Sequence, residues 1–145
     1  MKLTLKASLA LAFGLSAGLA NAATELVIAT VNNGHMIEMQ KLTKHFEQAN
    51  PDIKVKWVTL EEGTLRQRVT TDIATKGGQF DIMTIGMYEA PIWGKKGWLQ
   101  ELKTDAAYDV DDLLPAIRSG LSVDGKLFAA PFYGESSMQI GRAHV

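Results

Sequence analysis

The sequence predicts an α/β fold with a mainly parallel sheet flanked by helices. Three observations carry this expectation. Glu25 to Val31 is a short, nearly continuous β-branched and apolar run, the pattern of a strand covered on both faces. Further strand-type runs follow at Ile53–Trp57 and Phe80–Ile85, and each gap between strands holds a segment with helical spacing. Alternation of this kind means parallel strands joined by helices.

The elements follow in order. After the first strand, Asn32-Asn33-Gly34 is turn chemistry. Met39, Leu42 and Phe46 then recur at spacings of three and four, predicting one helix from Met36 to Gln48 with those residues inward. Asn50-Pro51-Asp52 stops it, because the residue before a proline avoids the helical region. Ile53, Val55 and Trp57 alternate with Lys54 and Lys56, which gives a strand of period two. Thr64-Leu65-Arg66-Gln67 matches a capping box and places the next helix start at Thr64. Leu65, Val69 and Ile73 mark its inner face, and Asp72 and Lys76 are expected to pair on its outer one. Gly77-Gly78 ends it.

Gly86 closes the third strand. A helix starts around Ala90-Pro91, where a first-turn proline is tolerated. Four acids between Asp105 and Asp112 read as a solvated loop into a short helix through Ile117. Asp124-Gly125 is a hairpin turn between Leu121–Val123 and Lys126–Ala129.

The first 22 residues stand apart. Lys2 and Lys6 precede an uncharged run of 13 residues from Ala7 to Leu19, and Ala20-Asn21-Ala22 ends in small-x-small. These are the three parts of a secretory signal, with cleavage expected between Ala22 and Ala23 and a periplasmic destination. The run is shorter than the roughly 20 residues a membrane-spanning helix needs. Removing Lys2 and Lys6 leaves 13 basic against 16 acidic side chains, a net of −3. That balance argues against nucleic acid as a partner. With no cysteine in the chain there is no disulfide frame, thiolate metal site or cysteine nucleophile.

In a parallel sheet, ligands sit outside the carboxyl ends of the strands. Three loops occupy that edge, Asn32–His35, Leu60–Gly63 and Gly86–Glu89. The glycines form no phosphate-binding loop. His35, His45 and His144 are scattered, so neither a metal nor a cofactor is expected, and Ser136-Ser137 has no nucleophile-elbow frame. Asn33, Glu61, Glu62, Tyr88, Glu89 and Trp93 lie on or next to the edge, with Tyr133 and Glu135 later. Carboxylates and amides bond hydroxyls, and aromatic faces cover C–H surface, so the set suits a sugar or polyol. Trp93 and Trp98 read first as core, Glu62 as solvated, and His35 as a potential donor on the edge. A rival reading makes Glu61 and Glu89 the acid–base pair of a secreted glycoside hydrolase.

Leu26–Thr30, the Phe46–Val55 segment with its Asn50-Pro51, Gly78–Ile82, Gly97–Leu99 and Asp124–Pro131 together resemble solute-binding proteins of carbohydrate ABC importers. More narrowly, Thr30–Gly34, Trp57–Glu62, Leu65–Gly78 and Tyr88–Gly94 are similar to the branch that binds sugar alcohols such as sorbitol and mannitol. The resemblance implies a periplasmic binding protein-like fold of two lobes closing on a ligand, no catalysis, and delivery to ABC permease subunits in the inner membrane. A monomer is expected. It implies ligand contacts at Asn33, Glu61, Tyr88 and Glu89, with Tyr133 and Glu135 where the chain crosses between lobes. On this reading residues 23–130 are an incomplete first lobe and 131–139 the start of the crossover. The match stops after Met138. Ile140 to Val145 can be encoded by ATC-GGA-AGA-GCA-CAC-GTC, the start of a common sequencing adapter, and is expected to be a non-native tail. A lone lobe of this kind is expected to fold poorly and to bind weakly.

Overall fold

A computed structural model describes residues 23–134. The expected leader (1–22), Glu135 and the expected tail (140–145) lie outside the described residues.

Strand β1 (Thr24–Val31) lies at the centre of a three-stranded parallel sheet, between β2 (Ile53–Leu60) and β3 (Ile82–Met83). Ala29 and Thr30 point to opposite faces of β1, and both are fully buried. That is the covered strand its composition predicts. β2 pairs with β1 in flush register, Thr24 beside Ile53 through Val31 beside Leu60. The two strands therefore end level with one another. β3 is shorter than the expected Phe80–Ile85 strand. The backbone hydrogen bonds from Asp81 to Val27 and from Thr84 to Ala29 still carry the ladder one step past each end of β3.

The predicted single helix from Met36 to Gln48 is two helices, α1 (Gly34–Lys41) and α2 (Thr43–Ala49), broken at Leu42. The Leu42 amide donates to the carbonyl of Met39, three residues back, which tightens the turn and redirects the chain. The inward stripe is lost with the continuous helix. Leu42 and Phe46 are exposed, Met39 is half-buried, and Met36 is the buried residue of the pair. The restart at Thr43 puts its hydroxyl under the Trp57 indole, which donates to it at 2.8 Å.

Helix α3 (Glu62–Thr75) packs Leu65 and Val69 onto the sheet, into a core with Ala29, Phe80 and Trp93. Each such side chain contributes about 1.5–3 kcal/mol by leaving water. The helix starts earlier than the Thr64 capping box predicts. Glu61 is the cap, and its longer side chain reaches the Thr64 amide at 3.2 Å. The expected Asp72–Lys76 surface pair does not form. Asp72 is buried, and its two carboxylate oxygens accept the Gln79 amide at 3.1 and 3.0 Å, tying the helix end to the strand that follows. Lys76 is the left-handed cap of the helix. Gly77 is needed because a Cβ there would run into the Asp72 carboxylate.

Helix α4 (Glu89–Lys95) follows β3, and two 3-10 turns (Ala106–Tyr108 and Val110–Asp112) lead to α5 (Pro115–Gly120). The hairpin is present as β4 (Ser122–Val123) and β5 (Lys126–Leu127), antiparallel. Asp124 and Gly125 both have positive φ, as the two central residues of its turn require. Trp93 is core, and Trp98 packs against it with ring centroids 6.3 Å apart.

Candidate functional site

The flush register sets the geometry of the rim. Because β1 and β2 end together, Asn32 follows one strand directly where Glu61 follows the other, and the Asn32 amide donates to the Leu60 carbonyl at 3.2 Å. Thr84 to Gly86 leave β3 at the same edge. β1 leads outward to β2 on one side while β3 pairs on the other, so the order β2-β1-β3 makes this edge a switch point between connections.

A cleft of about 900 Å³ opens there. Asn32, Asn33, Gln40, Thr59, Glu61, Glu62, Arg66, Thr84, Gly86, Glu89 and Tyr133 give it hydrogen-bonding groups, and Val31, Met36, Ile37, Leu60, Leu65 and Ile85 give it an apolar floor. Of the expected site residues, Asn33, Glu61, Glu89 and Tyr133 meet in this cleft. Tyr88 stands beside it, its ring so close over Gly86 that a Cβ there would lie 2.6 Å from the ring.

Asn33 uses both ends of its amide. Its oxygen accepts from the Met36 amide at 2.9 Å and caps α1, while its nitrogen donates to the Tyr133 hydroxyl at 2.9 Å. The Tyr133 ring stacks on His35 with centroids 5.1 Å apart, so His35 serves Tyr133 and is not part of the lining. Glu61 points into the start of α3. The amide of Gly63 first, and then that of Thr64, stabilise its charged form and hold its carboxyl below the usual glutamate value. A group held that way is a hydrogen-bond acceptor and a poor general acid, since an acid at neutral pH needs its pKa raised.

Glu89 is the most covered acid of the cleft, with its side chain 12% exposed. One oxygen accepts the Gly86 amide at 2.7 Å, and the other faces the Arg66 guanidinium at 3.6 Å. Arg66 also donates to Glu62 at 2.7 Å and lies 5.1 Å from the centre of the Tyr88 ring. The Glu62 hydrogen bond raises the Arg66 pKa, so the guanidinium stays charged. Arg66 lines the cleft although the sequence did not single it out. Its signal was the Glu62–Arg66 spacing of four, obscured by placing the helix start at Thr64. Gln40, Thr59 and Thr84 were missed as well. Gln40 comes from α1 and donates to Thr59 at 3.4 Å, a meeting of elements that spacing alone does not give.

Residues 33–140 match the family described as bacterial extracellular solute-binding protein. A mannitol-binding protein of Pseudomonas aeruginosa is 59% identical over 136 residues, covering 93% of this chain and 31% of that one. The crystal structure of an ABC transporter solute-binding protein from Agrobacterium vitis S4 with bound D-mannitol superposes with a TM-score of 0.74 at 69% identity, covering 77% of this chain and 27% of that one. A solute-binding protein of Agrobacterium radiobacter K84 in complex with ribitol gives 0.67 at 29% identity, covering 75% and 29%. This chain thus spans less than a third of the length of each of these relatives. The match over residues 33–140, together with the parallel sheet and its carboxyl-edge cleft, establishes that the chain belongs to the bacterial extracellular solute-binding protein family.

Proposed function

We propose that this chain forms one wall of the ligand-capturing component of an ABC importer for sugar alcohols, working in the periplasm as a monomer and handing its ligand to membrane permease subunits. The observation that supports this reading best is the cleft itself. Carboxylates, asparagine amides and a tyrosine converge at the carboxyl edge of a parallel sheet, over an apolar floor. Such a surface offers many hydrogen-bond partners to a neutral polyhydroxylated chain. The relatives crystallised with D-mannitol and ribitol point to the same ligand class.

On this reading Asn33, Glu61, Glu89 and Tyr133 bond ligand hydroxyls, Tyr88 covers the C–H surface, and Glu135 joins from the crossover. Each carboxylate accepts hydrogen bonds from hydroxyls without transferring a proton, and no cofactor or metal takes part. A second lobe closes the cleft and strengthens every polar contact by excluding water.

The test is calorimetry and thermal shift of the protein expressed from its native locus against mannitol, sorbitol, ribitol and a monosaccharide panel. Saturable binding of a polyol without turnover supports the reading. Hydrolysis of a chromogenic glycoside that is lost on Glu61→Gln or Glu89→Gln overturns it in favour of a hydrolase.

A further inference from the structure

We propose that Arg66 is the positioning residue of the cleft: its guanidinium fixes the Glu89 carboxylate and the Tyr88 ring in the arrangement that meets the ligand, and it is the one cation on the lining among the described residues. Its consequence for affinity rests on the polyol-capture reading; its consequence for the shape of the empty cleft does not.

Three carboxylates line the cleft, from Glu61, Glu62 and Glu89, against the single guanidinium. Glu61 has the helix amides for compensation. Glu62 is largely in water. Glu89 has neither advantage in full: its side chain is nearly covered, and a covered carboxylate needs a partner for its charge. The Gly86 amide holds one of its oxygens, and Arg66 stands opposite the other. The same guanidinium lies over the Tyr88 ring, 5.1 Å from its centre, and donates to Glu62. Three contacts, to two carboxylates and a ring, suit a fork-shaped cation. A lysine would supply the charge at one point and lacks the separate N–H groups that here face two carboxylates.

The experiment measures two things on the wild type, Arg66→Lys, Arg66→Ala and Glu62→Gln, expressed from the native locus. The first is amide hydrogen exchange in the unliganded protein at Gly86, whose N–H is bonded to Glu89, with the Thr84 amide in the sheet ladder as the comparison. The second is mannitol affinity by calorimetry. Arg66→Ala is expected to speed exchange at Gly86 on the order of tenfold, the scale of one charge-assisted contact, with Thr84 unchanged. Mannitol affinity should fall by more than about tenfold, with partial rescue in Arg66→Lys and a smaller loss in Glu62→Gln. Should Arg66→Ala not fold, the other two variants carry the same comparison in graded form. Exchange at Gly86 that stays at the wild-type rate, or that rises equally at Gly86 and Thr84, overturns the proposal. If the wild type takes up no polyol, the capture reading falls, and the Gly86 exchange alone decides the role of Arg66.

Discussion

Glu61 and Glu47 are carboxylates whose charge is recruited by backbone. Glu61 accepts from the first turn of α3. Glu47, on α2, accepts the Val55 amide at 2.9 Å on the outer side of β2, with Lys54 beside it. In both the amide hydrogen bonds lead in lowering the pKa below the ordinary glutamate value of 4.5. The sign follows from which form the fold prefers. Folded-state pKa values below the unfolded ones mean that these groups stabilise the fold fully above about pH 4.5, and that the contribution is lost as pH falls through the lower folded values. The urea midpoint is therefore expected to drop as pH falls below about 4.5. Glu47→Gln and Glu61→Gln should each flatten that slope. Glu61→Ala should also lower the thermal midpoint by uncapping α3, with Glu61→Asp closer to wild type because aspartate is a good cap.

Among the elements, α4 approaches the hairpin closely. Gly94 is buried, and a Cβ there would lie 3.0 Å from the Phe128 ring and 3.2 Å from Val123. Glycine to alanine inside an exposed helix gains about 1 kcal/mol. Here the added methyl meets an aromatic ring and a β-branched side chain that is stiff at χ1, so the sign reverses. Gly94→Ala is expected to cost about 1–3 kcal/mol in chemical denaturation, the range for overpacking. Leu65→Ala, which empties the contact of α3 with the sheet, should cost about 2–5 kcal/mol by the same measurement. The elements themselves were largely legible in the sequence. β1 announced itself through composition, β2 through alternation, and the hairpin through Asp124-Gly125. What the sequence hid were events that depend on a distant partner. The break at Leu42 sends Thr43 to Trp57, and the burial of Asp72 needs the Gln79 amide. The start of α3 turned on a glutamate reaching as far as a threonine would from nearer by. The site divides the same way. Asn33 and Glu61 were legible because they follow the ends of β1 and β2 closely, and Glu89 because it closes the loop that β3 runs into. Arg66, Gln40 and Thr59 were not, since they reach the cleft from a helix flank or a strand interior.

At the scale of the whole molecule, the cleft is acidic and its proposed ligand neutral. Affinity for mannitol should therefore change by less than about twofold between about 50 and 500 mM salt, because no net charge is brought in to be screened. An anionic relative of the same length, such as a sugar acid or a sugar phosphate, should bind at least about tenfold more weakly in calorimetry, repelled by three carboxylates that one guanidinium offsets only in part. Stronger binding of the anion than of the neutral polyol would contradict this electrostatic account.

The bond between the Asn33 amide and the Tyr133 hydroxyl has a consequence for how the cleft begins to fill. The Asn33 oxygen is committed to capping α1 and cannot turn away without freeing the Met36 amide. Its nitrogen already has an alcohol-type oxygen at 2.9 Å. On the proposed reading, a polyol hydroxyl arriving at that nitrogen meets a position already shaped for an alcohol oxygen. An amide nitrogen carries two hydrogens, so on that reading one can bond the ligand while the other stays on the Tyr133 hydroxyl, and the ring stacked on His35 keeps its place in the wall.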